Sequence, residues 1–243
     1  MTIEESKPVS APRAYEAVLH AIEAELRSGA LKLGDQLPGE RTLAERHGLS
    51  RASVRDAIRI LDVHGVVRTS TGSGPNAGAV IISEPAAGLA SALRLHVATR
   101  QLSVAEIVQT RILLETGAAE AATIDREDPS TRTKLDEAAA LLDQMDDPTL
   151  GRVDFHALDA RFHVLLSSLA GNAVIEAMME SLRLSISDYV AESVRSDEAW
   201  EPVAEVLRHQ HHDILAAVSA GEGKLAARLL REHIEWFYAE TQH

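Results

Sequence analysis

The chain contains no cysteine, which excludes disulfide frameworks and thiolate metal sites. Aromatic residues make up only 3%, so packed helices built on Ala and Leu are expected in place of a sandwich of aromatic and β-branched strands. Every apolar run falls short of the roughly 18 residues needed to cross a bilayer, and the opening MTIEESKPVS is polar and acidic, so neither a membrane span nor a signal peptide is expected. These absences imply a soluble, cytoplasmic protein. What is present is ordinary for a globular chain: 243 residues, 45% hydrophobic and 25% charged, enough for one or two domains with a buried core.

The formal net charge of −13 would argue against a nucleic-acid partner if it were evenly spread. Residues 1–83, however, hold 10 Lys+Arg against 10 Asp+Glu, whereas residues 84–243 hold 14 against 27. Between Arg41 and Arg68 six arginines face Glu45, Asp56 and Asp62, a local +3. Such asymmetry implies two parts with separate jobs.

In chain order, residues 1–10 read as a disordered tail. Tyr15, Val18, Leu19, Ile22 and Leu26 then follow a helical period, stopped by Gly29. LKLGDQLP reads as a turn and a short extended piece, with Pro38 opening a second helix that ends at Gly48. Ser50 is a suitable N-cap for a third helix whose core face is Val54, Ala57, Ile58 and Leu61. After Gly65, VVRTS, a Gly-rich tip and AVII read as a β-hairpin. Beyond Ser83 only helical signals remain, over about 86–100, 103–124, 130–145, 152–170, 172–196, 199–220 and 222–241. The expected fold is therefore mainly α. Residues 11–83 form a winged helix-turn-helix with a small hairpin wing, and 84–98 a linker and connecting helix. Residues 99–243 form an antiparallel all-α bundle of six to seven helices for effector binding and dimerisation.

Arg51, Arg55 and Arg59, spaced by four, lie on one side of the third helix, away from its apolar stripe. An arginine there can grip guanine bidentately or clamp a phosphate, and Ser50 and Ser53 add hydroxyls at the helix start. Arg41 falls where the preceding helix would cross the DNA backbone. A merely solvated charged face is the alternative, and the turn, cap and wing in register favour DNA. The stretch LKLGDQLPGERTLAERHGLSRASVRDAIRILDVHGVV resembles the N-terminal domain of GntR-family bacterial transcription regulators. That resemblance implies DNA contacts from Arg41, Ser50, Arg51, Ser53 and Arg55, with Gly72 and Gly74 in a wing approaching the minor groove. Gly39 stands where the family usually has a serine, which weakens a helix cap, and the wing tip GSGPNAG is longer than usual.

A second constellation comprises Asp159 and His163 in LDARFHVLL, His211 in HQHHDILAAV and His233 in REHIEW. Asp159 and His163 are four apart and project from one helix face. His211 and His233 fall on two later helices. Three imidazoles and one carboxylate suit Zn²⁺, Ni²⁺ or Mn²⁺ and leave coordination positions open. With 11 histidines in the chain, chance pairs that end up in the core or at the surface are the alternative. The helical C-terminal (FCD-type) domains of the FadR subfamily of GntR regulators share a D-x-x-x-H helix, a later H-x-x-I-L and a third histidine on the final helix. The resemblance selects His211 over His209 and His212, because the second histidine stands three residues before Ile214. His156 is expected to be solvated, or else an outer partner of the metal; His20 and His96 are read as structural.

Arg111, in VQTRILLETGAA, matches the subfamily's R-x-x-x-E. It can grip a ligand carboxylate in the bundle, or simply pair with Glu115 along its own helix. The expected protein is a homodimeric, ligand-responsive regulator, a repressor more often than an activator in this family. It would bind near-palindromic double-stranded operator DNA and be governed by a divalent metal and a small hydroxy- or dicarboxylate effector, with no membrane partner. A metal-dependent hydrolase-like enzyme and a purely structural metal are the competing readings; no separate general base or nucleophile motif supports the former.

Overall fold

The computed structural model describes residues 14–70, 78–187 and 197–240, without the side chains of 197–199. The chain divides into two compact units, residues 1–88 and 89–243.

In the first unit, α1 (Ala14–Ser28), α2 (Glu40–His47) and α3 (Arg51–Val63) precede β1 (Val67–Ser70) and β2 (Gly78–Ile81). Val18 and Ile22 of α1, Leu43 of α2, and Val54, Ala57 and Leu61 of α3 meet Val67 and Ile81 in one core. Each fully buried Val, Leu or Ile adds about 1.5–3 kcal/mol, so this small core depends on α3 keeping its apolar face inward. Ile58, expected in that face, is partly buried against the same core. Gly48, at φ 64, closes α2 in the left-handed conformation, and the Ser50 hydroxyl caps α3 by accepting from Ser53 N at 3.1 Å. Gly39 offers no side-chain cap to α2. The helix starts at Glu40, two residues beyond the expected proline start, with Pro38 in the preceding extended piece.

β1 and β2 pair antiparallel in the register Val67↔Ile81 to Ser70↔Gly78. The extended piece before α2 adds a bridge at Gln36↔Val80, with Leu37 N donating to Ala79 O at 2.8 Å. Gly65, at φ 70, joins α3 to the hairpin; a Cβ there would lie 2.2 Å from the Glu84 carbonyl oxygen. Only glycine fits that approach. The hairpin tip, including Gly72 and Gly74, lies outside the described residues.

α4 (Pro85–Ala98) begins in the first unit and continues into the second. The second unit then contains α5 (Val104–Ala121), α6 (Pro129–Met145), α7 (Arg152–Ser168), α8 (Ala173–Ser185), α9 (Asp197–Ser219) and α10 (Gly223–Glu240). The caps are local and readable: a Ser103/Glu106 capping box on α5, Asp128 on α6 and Asn172 on α8. Phe155, Phe162, Leu141, Met145, Trp200 and Ile214 build the main core. A helix was expected over 172–196; α8 ends at Ser185, and 188–196 lie outside the described residues. Among the described residues no helix is long and apolar enough to cross a membrane.

Candidate functional site

The four residues singled out as metal ligands converge. Asp159 and His163 project from α7, His211 from α9 and His233 from α10; one ligand atom from each lies within 4.8 Å of all the others, and all four side chains are buried. His163 Nε2 is 3.2 Å from His233 Nε2 and 3.4 Å from Asp159 Oδ1. His211 Nε2 is 3.0 Å from the same Oδ1, yet neither ring nitrogen of His211 is in hydrogen-bond geometry.

The surrounding groups decide which nitrogens face inward. His163 Nδ1–H donates to Glu115 Oε2 at 2.5 Å, and His233 Nδ1–H donates to Gln210 Oε1 at 2.8 Å. With both protons directed outward, two Nε2 lone pairs confront each other at 3.2 Å beside an ionised carboxylate. That arrangement is repulsive unless a positive charge sits among them, either a metal ion or a proton on His163, whose pKa burial would lower but Glu115 and Asp159 raise; the unpaired nitrogens of His211 favour the metal ion. Burial pushes His211 down, and pushes His233 well below the usual imidazole range, with the neighbouring histidines adding to the fall. Burial alone would raise Asp159, but Arg183 and His163 outweigh it and hold the carboxyl well below its usual range. One carboxylate and three imidazoles thus form a donor set that fits a Zn²⁺-, Ni²⁺- or Mn²⁺-class ion.

Glu115 was expected only as a partner for Arg111. Its Oε1 accepts from Arg111 Nε at 3.0 Å while Oε2 takes His163, so it joins the arginine to the cluster. Burial opposes its ionisation, but His163 and Arg111 win and hold the carboxyl at about 2. Of the two readings of Arg111, the pairing with Glu115 is present. The paired side chains are only 7% and 1% exposed, and Arg111 also lines a cavity of about 800 Å³. Asp159 and His233 line that cavity too, so the cluster opens onto it. Arg183 of α8, unremarked in the sequence, lines the same space and bonds Asp159 Oδ2. Val104, Val108, Val164, Ile234 and Phe237 provide apolar wall.

Three histidine expectations need correction. His156 is largely buried, its ring 4.8 Å from Trp200 and 5.8 Å from Phe237, with Nε2 unpartnered; burial pulls it down to about 4. His20 and His96, read as structural, are exposed. His209 and His212 are also exposed, His212 pairing with Asp146 at 2.8 Å, so the register that selects His211 agrees with burial. Gln210 and Arg183 carried no sequence signal, because their roles depend on which helices pack beside α7 and α10.

In the first unit, Arg41, Arg51, Arg55 and Arg59 are exposed, and the Ser50 and Ser53 hydroxyls share a 2.9 Å hydrogen bond at the start of α3. The arginines are less bare than the charge count implied. Arg41 lies 3.9 Å from Glu45 and Arg59 3.7 Å from Asp56, while Glu40 faces both Arg51 and Arg55.

Comparison with known proteins bears on both units. Residues 14–75 match the family described as bacterial regulatory proteins, gntR family, and residues 106–235 match the FCD domain. The chain is 24% identical over 224 residues to the Uxu operon regulator of Haemophilus influenzae, covering 92% of this chain and 80% of that protein. It is 27% identical over 218 residues to the HTH-type transcriptional regulator LutR of Bacillus subtilis, covering 86% and 92%. With the Glc operon transcriptional activator of Escherichia coli K12 it shares 24% over 221 residues, covering 90% and 85%. Among solved structures, Streptococcus agalactiae GntR superposes with a TM-score of 0.61 at 21% identity, covering 92% of this chain and 97% of that one, a likeness of fold.

Proposed function

This chain belongs to the GntR family of bacterial regulatory proteins and carries an FCD domain, which makes it a DNA-binding transcription regulator and not an enzyme; from that premise we propose that it is a homodimeric, ligand-responsive repressor of the FadR subfamily. Arg41, Ser50, Arg51, Ser53 and Arg55 contact one half-site of an operator, with Gly72 and Gly74 in the wing. A two-fold dimer reads a near-palindrome. Such a regulator works in the cytoplasm, where its DNA is.

The effector is a small organic carboxylate. The observation that carries this reading is that Arg111, Arg183 and the Asp159/His163/His211/His233 cluster border one cavity. Asp159, His163, His211 and His233 would hold a divalent ion, which when bound supplies a Lewis-acidic anchor for ligand oxygens. Arg111 and Arg183 offer planar forks for a carboxylate, and the apolar walls take the carbon skeleton. The 800 Å³ volume leaves room for more than a two-carbon acid.

To release DNA effectively, the effector must favour the non-binding arrangement by several kcal/mol. α4 is the path we assign to that bias. Its first turn lies against the end of α3, where a Cβ on Gly88 would meet His64 backbone at 2.9 Å, and its later residues Leu93 and Val97 pack with Ile107 and Leu182. The test is fluorescence anisotropy on a duplex enriched by the purified protein from randomised DNA, titrated with a panel of small carboxylates with and without a chelator. Release by a carboxylate that is lost on chelation supports the reading. Equal DNA binding under every condition sinks the sensing role, and unfolding on chelation alone assigns the metal a structural role.

A further inference from the structure

Glu40 is a carboxylate in a surface that has to approach polyanionic DNA. It opens α2, and its side chain reaches across to α3. Oε1 accepts from Arg55 Nε at 3.0 Å and Oε2 accepts from Arg55 Nη2 at 2.9 Å, while Arg51 Nη2 lies 3.7 Å from Oε2. Two other arginines of α2 and α3 are held less tightly: Arg41–Glu45 and Arg59–Asp56 are loose contacts within one helix, at 3.9 and 3.7 Å. The hydrogen bond from Arg55 holds the Glu40 carboxyl below its usual range against the smaller opposing effect of burial, so it stays ionised.

We propose that Glu40 is a positioning residue for sequence readout: it grips one edge of Arg55 and thereby turns that arginine from a general phosphate clamp into a base reader. The proposal rests on the reading of α3 as the DNA-recognition helix. A guanidinium carries five N–H groups. Glu40 occupies the side edge, made of Nε–H and one Nη2–H. The end edge, made of Nη1–H and the second Nη2–H, stays available, and it is a two-donor fork matched to guanine O6 and N7. Two consequences follow from one contact. Holding the side edge fixes the direction of the fork, so less side-chain freedom is lost when a base is met. The neighbouring negative charge also offsets the attraction of Arg55 for phosphates, which carry no sequence information. Arg51, beside the same carboxylate, shares the second effect.

The experiment uses the full chain, a duplex enriched by the wild-type protein from randomised DNA, and a scrambled duplex of equal composition. For E40Q the expected result is tighter binding to the scrambled duplex and a specific-to-scrambled affinity ratio reduced about tenfold, the size of losing one bidentate base contact. The log–log salt slope on scrambled DNA should steepen by about 0.9, one added phosphate contact. R55K should lose the same discrimination, and adding E40Q to R55K should lose no more. An unchanged ratio and slope in E40Q, or equal weakening on both duplexes at an unchanged slope, overturns the proposal. A wild-type protein that enriches no sequence overturns the recognition-helix reading itself.

Discussion

The carboxylate of Glu115 lies 2.5 Å from Nδ1 of His163, so a residue on α5 determines which nitrogen of an α7 histidine faces the cluster. The same carboxylate is held ionised, at about 2, by His163 and Arg111 despite complete burial. Replacing it with glutamine keeps an acceptor but removes the charge. Divalent-metal affinity of E115Q should fall about 10- to 100-fold, the usual effect of losing an outer partner. Competition against a chromophoric chelator measures it, and an unaltered affinity would remove Glu115 from the metal site.

His211 and His212 adjoin in the sequence but face opposite environments. His211 is fully buried at the cluster, whereas His212 is exposed beside Asp146. H211A should abolish tight metal binding, and H212A should leave it near wild type. The same titration decides, and the opposite ranking would show that the ligand register is wrong.

What could be read in advance divides along physical lines. Spacing was enough to put Asp159 and His163 on one helix face, though not to make them ligands, and the cap at Ser50 was legible from local chemistry. Choosing His211 from HQHH needed a family register, because an isolated helix does not reveal which histidine its neighbours will bury. Gln210 and Arg183 were invisible for a stronger reason: each acts on a residue of another helix, so its role exists only after packing. His156 misled because imidazole is polar enough to expect water, yet Trp200 and Phe237 cover it. In the reading head the six arginines suggest bare positive charge, yet Glu40, one residue before Arg41, faces both Arg51 and Arg55 across the turn.

Arg183 bonds Asp159 and lines the cavity with Arg111. R183K preserves a positive charge beside Asp159 but loses the planar fork. Metal binding should persist in R183K, while stabilisation by the effector carboxylate should largely disappear. For wild type at a ligand concentration of about 100 Kd, the stabilisation is about 2.7 kcal/mol, a melting shift of roughly 5–10 °C. Differential scanning fluorimetry on metal-loaded protein reads both, and a full carboxylate shift in R183K would exclude the residue as an anchor.

Gly65 and Gly34 both have positive φ, at 70 and 89, but only Gly65 is crowded. A Cβ on Gly65 would overlap the Glu84 carbonyl at 2.2 Å, whereas at Gly34 nothing lies within 4 Å. G34A should therefore cost about 1–2 kcal/mol from the left-handed backbone alone. G65A adds a displaced strand exit and should cost about 2–4 kcal/mol in the reading head. Urea melts of the two variants, followed by DNA binding, separate strain from overlap; equal losses would mean that the Glu84 approach relaxes freely.

Acid should destabilise the second unit partly through His156. Burial pulls its pKa from 6.5 to about 4 in the folded state. Above pH 6.5 the ring is neutral whether folded or not, so no penalty exists. As pH falls from 6.5 towards 4 the unfolded chain gains a proton that the folded chain refuses, so stability must fall; below about 4 both forms are protonated and the loss stops growing. From pH 7 to pH 5 the contribution is roughly 2 kcal/mol. H156F removes the titrating group from the space between Trp200 and Phe237 while keeping an aromatic ring. Its unfolding free energy should therefore gain on wild type by roughly that amount over the same interval. The histidines of the cluster are common to both proteins and cancel in the comparison. Parallel pH profiles would show instead that His156 is protonated in the folded protein as readily as in water, which its burial against Trp200 argues against.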